Sequence, residues 1–211
     1  MNTDDLIRRL SASPGAAPLQ DRRVMALALA AVVLPVAVFL ALAGVRHGLG
    51  LALSNPVVLA KTLLPLLAFA LALPELPRLT RPEGGEETKL FRLALPLLAA
   101  LVLFVATLFD PEALESCLEP GWFGVAECLG LISLLSIVPV WAGLRLLRQG
   151  AVTAPGFAGA LAGFVAGSGV AAGYSLFCTR DNPLFYLVWY SVAIAIATGA
   201  GALLGRKMLR W

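Results

Sequence analysis

Three cysteines, Cys117, Cys128 and Cys178, and a single histidine, His47, are the soft-donor side chains of this sequence. Two chemistries are open to such thiols. Oxidation to a disulfide needs Cα atoms within about 7 Å of each other. Coordination suits soft cations of the copper, zinc or cadmium class. No Cys-x-x-Cys and no zinc-finger spacing occurs, so spacing alone selects neither chemistry, and three thiols leave one over whichever two pair. His47 is a candidate further ligand; as a lone loop histidine it can equally be a solvated polar residue. No Ser/His/Asp arrangement, phosphate loop or metalloprotease motif is available. A non-enzyme with no required cofactor is therefore expected.

These groups must be positioned by a chain that is 59% hydrophobic and 14% charged over 211 residues, with a mean hydropathy of +0.86. One soluble core cannot hide so much apolar surface. Six stretches approach the ~20 apolar residues that cross a bilayer: 24–45, 56–73, 93–109, 128–144, 156–178 and 184–205. They lack the alternation of strands, and open polar edges are not tolerated in lipid. The expected fold is all-α, a polytopic membrane protein with six transmembrane helices in one bundle. Residues 1–23 form a cytoplasmic segment, 24–205 the membrane domain and 206–211 a cytoplasmic tail. The first stretch exceeds the roughly 7–15 residues of a signal-peptide core, so an uncleaved anchor is expected despite the cleavage-like Ala41-Leu-Ala-Gly44.

Charge sets the orientation. Thirteen of the sixteen basic residues fall before span one, between spans two and three, after span four, or after span six. Only Arg46, Lys61 and Arg180 lie on the other side. The positive-inside rule then places both termini in the cytoplasm, N-in/C-in. Basic residues serve orientation and anionic headgroups, so no direct nucleic acid partner is implied. All three cysteines and His47 map to the outer side, among Asp110, Glu112, Glu115, Glu119, Glu127 and Asp181. Lys61 is the sole charge within the spans. Snorkelling, or an ion pair with Asp110, Glu112 or Glu127, would accommodate it.

Gly159, Gly163 and Gly167 in span five, and Gly201 and Gly205 in span six, recur every four residues and allow close helix approach. Packing within the bundle is the expected use, and a homodimer face is the alternative. Pro35, Pro65, Pro96 and Pro139 lie inside spans, where kinks are expected. On the inner face, Thr3 is an expected N-cap, followed by Asp4 and Asp5 at the positive end of a helix. Leu6, Ile7 and Leu10 form the apolar side of this short amphipathic helix, which can rest on headgroups or dock into a protein groove. The inner loop 74–92 carries a Glu83-Gly-Gly-Glu-Glu87 tip expected to be solvated.

The opening Thr3-Asp-Asp-Leu-Ile-Arg-Arg-Leu10, the six spans, Cys128-Leu-Gly130, Phe177-Cys178 with Trp189-Tyr190, and the ending Gly199-Ala-Gly-Ala-Leu-Leu-Gly-Arg-Lys-Met-Leu-Arg-Trp211 resemble the NrsF family along the whole chain. The resemblance implies an inner-membrane anti-sigma factor with six helices, a transcription regulator of a stress response. It would hold an extracytoplasmic-function sigma factor at the cytoplasmic face and release it on heavy-metal or oxidant stress. By position, Cys128 and Cys178 would be the periplasmic sensing pair, while Cys117 has no assigned counterpart. The resemblance also favours protein docking for Leu6, Ile7, Leu10, Asp4 and Asp5. Two rivals are a thiol–disulfide membrane oxidoreductase and a small transporter or channel. The missing Cys-x-x-Cys speaks against the first, and the absence of intramembrane carboxylates against the second.

Overall fold

The computed structural model describes residues 3–12, 21–81, 90–118 and 121–210, and this described chain is helical without strands. The helices are α1 (Thr3–Ala12), α2 (Asp21–Ala43), α3 (Leu49–Leu53), α4 (Pro56–Ala72), α5 (Ala94–Leu108), α6 (Pro111–Leu118), α7 (Gly121–Leu147), α8 (Pro155–Tyr174) and α9 (Pro183–Met208). Short 3₁₀ turns at Leu73–Glu75 and Arg78–Thr80 continue α4, and another at Leu90–Leu93 leads into α5. Six described helices, counting these extensions, are long and apolar enough to cross a membrane: α2, α4, α5, α7, α8 and α9.

Local chemistry sets several boundaries. The Asn55 side chain accepts from the Val57 N–H at 2.9 Å and Pro56 follows it, so α4 starts with a cap and a preset φ. Asn182 and Pro183 repeat the device at the start of α9, with the Phe185 N–H donating at 3.2 Å. After α2 the chain turns through Gly44, whose φ of 87° lies in the left-handed region that glycine tolerates.

The centre of the bundle is the pair α8 and α9. A Cβ placed on Gly159 would overlap the Gly201 carbonyl oxygen, and one on Gly163 would overlap that of Ala197. At Gly205 it would meet the Pro155 carbonyl oxygen at 2.5 Å. Gly167 sits 3.1 Å from Ile194 by the same measure. The glycine stripes therefore face each other within one chain, bringing the two backbones close enough for dispersion contacts that larger side chains would prevent. Helices α4 and α7 pack on this pair, and α2 lies against α7 and α8. Helix α5 touches only α4, α6 and α9 among the larger helix contacts, and leaves Leu97, Leu101 and Val102 exposed.

Three sequence expectations need correction. Helix α7 begins at Gly121, so Cys128 lies two turns inside it and does not open it. Helix α8 ends at Tyr174, leaving Cys178 in the turn that follows. Pro96 occupies the first turn of α5, where a missing N–H breaks no helical bond; Pro35, Pro65 and Pro139 do lie inside helices. The 83–87 tip lies outside the described residues.

Candidate functional site

Cys128 and Cys178 are separated by 50 positions in the chain, yet their sulfurs lie 3.9 Å apart. Both are free thiols, 1% and 3% exposed. Helix α7 presents Cys128 inward, and the turn after α8 folds Cys178 back, its N–H bonding the Tyr174 carbonyl at 3.1 Å. The Tyr174 hydroxyl donates to the Cys128 sulfur at 3.5 Å. Phe39, Phe177 and Tyr190 surround Tyr174 with ring centroids 5.8–6.2 Å away. The Tyr190 hydroxyl is buried with no hydrogen-bond partner among the described residues. Two polarizable sulfurs thus sit in an aromatic box that excludes solvent.

A charge cluster lies directly against the Cys178 turn. Lys61, its side chain fully buried, donates to the carbonyls of Cys178 and Arg180, both at 2.7 Å, and reaches Asp181 at 3.3 Å. Arg46 grips Asp181 with two nitrogens at 2.7 and 2.8 Å and touches the Cys178 carbonyl at 3.3 Å. Burial alone would raise the Asp181 carboxyl, but the bonds from Arg46 and the Lys61 charge outweigh it and hold the group below its ordinary range. The same pairing raises the Arg46 guanidinium. Lys61 therefore pairs with Asp181 and, among the described side chains, not with Asp110 or Glu127. An ammonium in apolar surroundings needs all three N–H groups satisfied, and the turn after α8 supplies them.

The other expected residues are dispersed. His47 is exposed in the turn before α3. Cys117 belongs to α6, and its side chain, like those of Glu112, Leu6 and Leu10, lies outside the described residues. Among the described residues no group of three or more His, Cys, Asp and Glu could hold a metal ion. In α1, Asp4 and Asp5 occupy the first turn, and Ile7 is 59% exposed. Lys61, Arg46, Asp181, Tyr174 and Tyr190 escaped the sequence analysis as partners of the thiols. One signal was available: the only charge within the spans demands a counter-charge at its own depth, and Asp181 follows Cys178 by three residues.

At the opposite end of the bundle the Ala151 N–H donates to the Thr80 carbonyl at 2.8 Å. Arg81 meets Asp21 at 2.9 Å, the Arg206 side chain lies over Gly156, and Arg148 and Arg210 line one small cavity. Basic residues from three segments thus gather at one end, while the buried thiols occupy the other.

Chemically, the pair can do two things. Thiolates 3.9 Å apart, each about 2.3 Å from an ion, would subtend roughly 116° there, close to tetrahedral. A disulfide of ~2.05 Å requires the sulfurs to approach by about 1.9 Å.

A six-helix bundle with a buried thiol pair at one end and a basic rim at the other is the class of protein defined here. The chain belongs to the NrsF family: the family model described as "Negative regulator of sigma F" matches residues 10–211. It is 37% identical to a protein of Azospira oryzae named "Probable anti-sigma-F factor NrsF", covering all of both chains. It is 30% identical to the "Anti-sigma-F factor NrsF" of Caulobacter vibrioides, again over the full length of both. No solved structure matches.

Proposed function

We propose that this chain is a membrane-embedded anti-sigma factor. It holds an extracytoplasmic-function sigma factor at the cytoplasmic face of the inner membrane and releases it when a soft metal ion or an oxidant reacts with Cys128 and Cys178. The observation that carries the sensing role is the 3.9 Å separation of two buried sulfurs from distant parts of the chain. The names of the full-length relatives support the anti-sigma role, and the distribution of basic residues supports an orientation with the thiols outside. The exposed apolar Ile7 of α1, flanked by Asp4 and Asp5, supports this helix as the sigma-factor contact.

In the oxidative branch, each thiol loses a proton, the pair gives two electrons to the oxidant, and one S–S bond forms. In the metal branch, an ion of the copper, zinc or cadmium class displaces the two thiol protons and binds both thiolates. Its remaining ligands must come from groups beyond the pair; Cys117, whose side chain lies outside the described residues, is the candidate. Either event draws α7 and the turn after α8 into a new arrangement, and closely packed helices answer such a change by discrete repacking. About 1.4 kcal/mol of coupling lowers sigma-factor affinity tenfold.

The test is a sigma-dependent reporter in cells. Serine at both positions 128 and 178 should abolish induction by cadmium and by diamide while leaving basal repression intact. Unchanged induction in that double variant rejects the sensing role. Co-purification of the sigma factor should vanish when residues 1–20 are removed; persistence would reject α1 as the contact. The same thiol geometry also suits a thiol–disulfide oxidoreductase, which would show turnover with a dithiol substrate in purified protein.

A further inference from the structure

We propose that Lys61 is the positioning cation of the thiol pair: its ammonium holds the backbone that carries Cys178 in front of Cys128, and it fastens that backbone to α4. The proposal rests on Cys128 and Cys178 as the reactive groups, and it adds a residue that touches neither sulfur.

Geometry singles out this role. The three acceptors of Lys61, namely the Cys178 carbonyl, the Arg180 carbonyl and Asp181, all belong to one four-residue stretch. That stretch lies beyond the C-terminus of α8, where carbonyls lose their helical partners and need donors from elsewhere. A long side chain from another helix supplies them. Arg46 reinforces the hold, and its own N–H donates to the Leu176 carbonyl at 3.1 Å. Around Lys61, Thr62 bonds Ser175 at 2.8 Å, and the Tyr186 hydroxyl donates to the Val57 carbonyl at 2.9 Å. The outer half of α4 is thereby stitched to both sides of the turn.

Helix α4 also has somewhere to go and something to move. A half-open groove of about 510 Å³ runs between α4, α5 and α9, with Lys61, Pro65, Pro96 and Tyr190 in its wall. Through its 3₁₀ extensions α4 reaches Thr80, whose carbonyl is bonded by Ala151 at the basic end. A displacement of Cys178 therefore pulls on Lys61, and through it on an element that spans the bundle.

The experiment uses the full-length protein in nanodiscs, with Cys117→Ser so that only the pair is counted. Diamide oxidation is followed by loss of maleimide-reactive thiol, and cadmium binding by the thiolate-to-metal absorption band. Lys61→Met should slow pair oxidation by about tenfold or more and weaken the cadmium band, because displaced reactive groups lose rate steeply. Lys61→Arg, which keeps the charge, should recover most of the loss. A folded Lys61→Met protein that oxidises at the parent rate overturns the proposal, as does an Arg variant as slow as the Met variant. Should Lys61→Met aggregate, Arg46→Gln takes its place: slower oxidation is expected, and the parent rate overturns it. These readouts need no sigma factor. Normal reporter induction in the double-serine variant together with slow oxidation in Lys61→Met would reject the sensing function and leave the positioning role standing.

Discussion

The two ends of the bundle differ in how much of their charge is locked in place. At the thiol end, Lys61, Arg46 and Asp181 form one cluster whose members share acceptors, and the ammonium is fully buried. At the basic end, Arg81 and Asp21 form a pair that is about half exposed on each side. A buried charge must be satisfied in place or it costs several kcal/mol, whereas an exposed pair is worth about 0–1 kcal/mol. The thiol end thus rests on one interlocked cluster, whereas the basic end joins a single buried pair, Glu75 with Arg78 at 2.6 Å, to exposed basic charge. Specific geometry suits detection, and a basic rim suits orientation in a membrane.

Both ends hang on the α8–α9 contact, so the largest effect should come from there. Gly163→Leu drives a side chain into the Ala197 backbone, and we expect no folded protein, read as aggregation on size-exclusion chromatography in detergent. Its failure to disrupt folding would mean the two ends are joined by other contacts. Next, Asp181→Ala leaves two cations without their shared carboxylate. Partial exposure reduces the cost, and about 2 kcal/mol is expected as a lowered midpoint of thermal unfolding.

The pH dependence of that cluster has a definite sign. The folded-state pKa of Asp181 is depressed, so its contribution is present above the unfolded value of about 3.9 and is lost as pH falls through the lower folded value. Unfolding midpoints measured from pH 7 down to 3 should fall at the acid end, and less steeply in Asp181→Asn. A smaller effect is expected of Tyr174→Phe, which removes one hydroxyl bond to the Cys128 sulfur. About 1 kcal/mol of stability and a change in the rate of Cys128 alkylation are the measurements. Smallest of all, Arg81→Ala should cost less than about 1 kcal/mol, a loss that rising salt erases. A large loss there would erase the contrast between the ends.

Much of this was legible from residue order. Six apolar runs reappear as six helices of spanning length, because a run of that length with at most one charged residue has few other stable states. The glycine spacing marked the faces that meet, since small residues at four-residue intervals share one side of a helix. Helix ends were less legible. The segment before Cys128, with Trp122 and Phe123 at 89% and 81% exposed, reads as a loop by hydropathy because Glu127 interrupts it, yet it continues α7. Pro96 is expected to kink a span read as 93–109, although a proline three residues from a helix start removes no helical bond.

Residue order alone therefore determined the number of helices of spanning length, the separation of basic from acidic loops and the family to which the chain belongs. These follow from local composition, which acts along the chain. Tertiary structure decided which charge answers Lys61, how near Cys128 stands to Cys178 and which hydroxyl reaches a sulfur. Those are distances between segments up to 120 positions apart, and they arise only when close-packed glycine helices fix where each turn must lie.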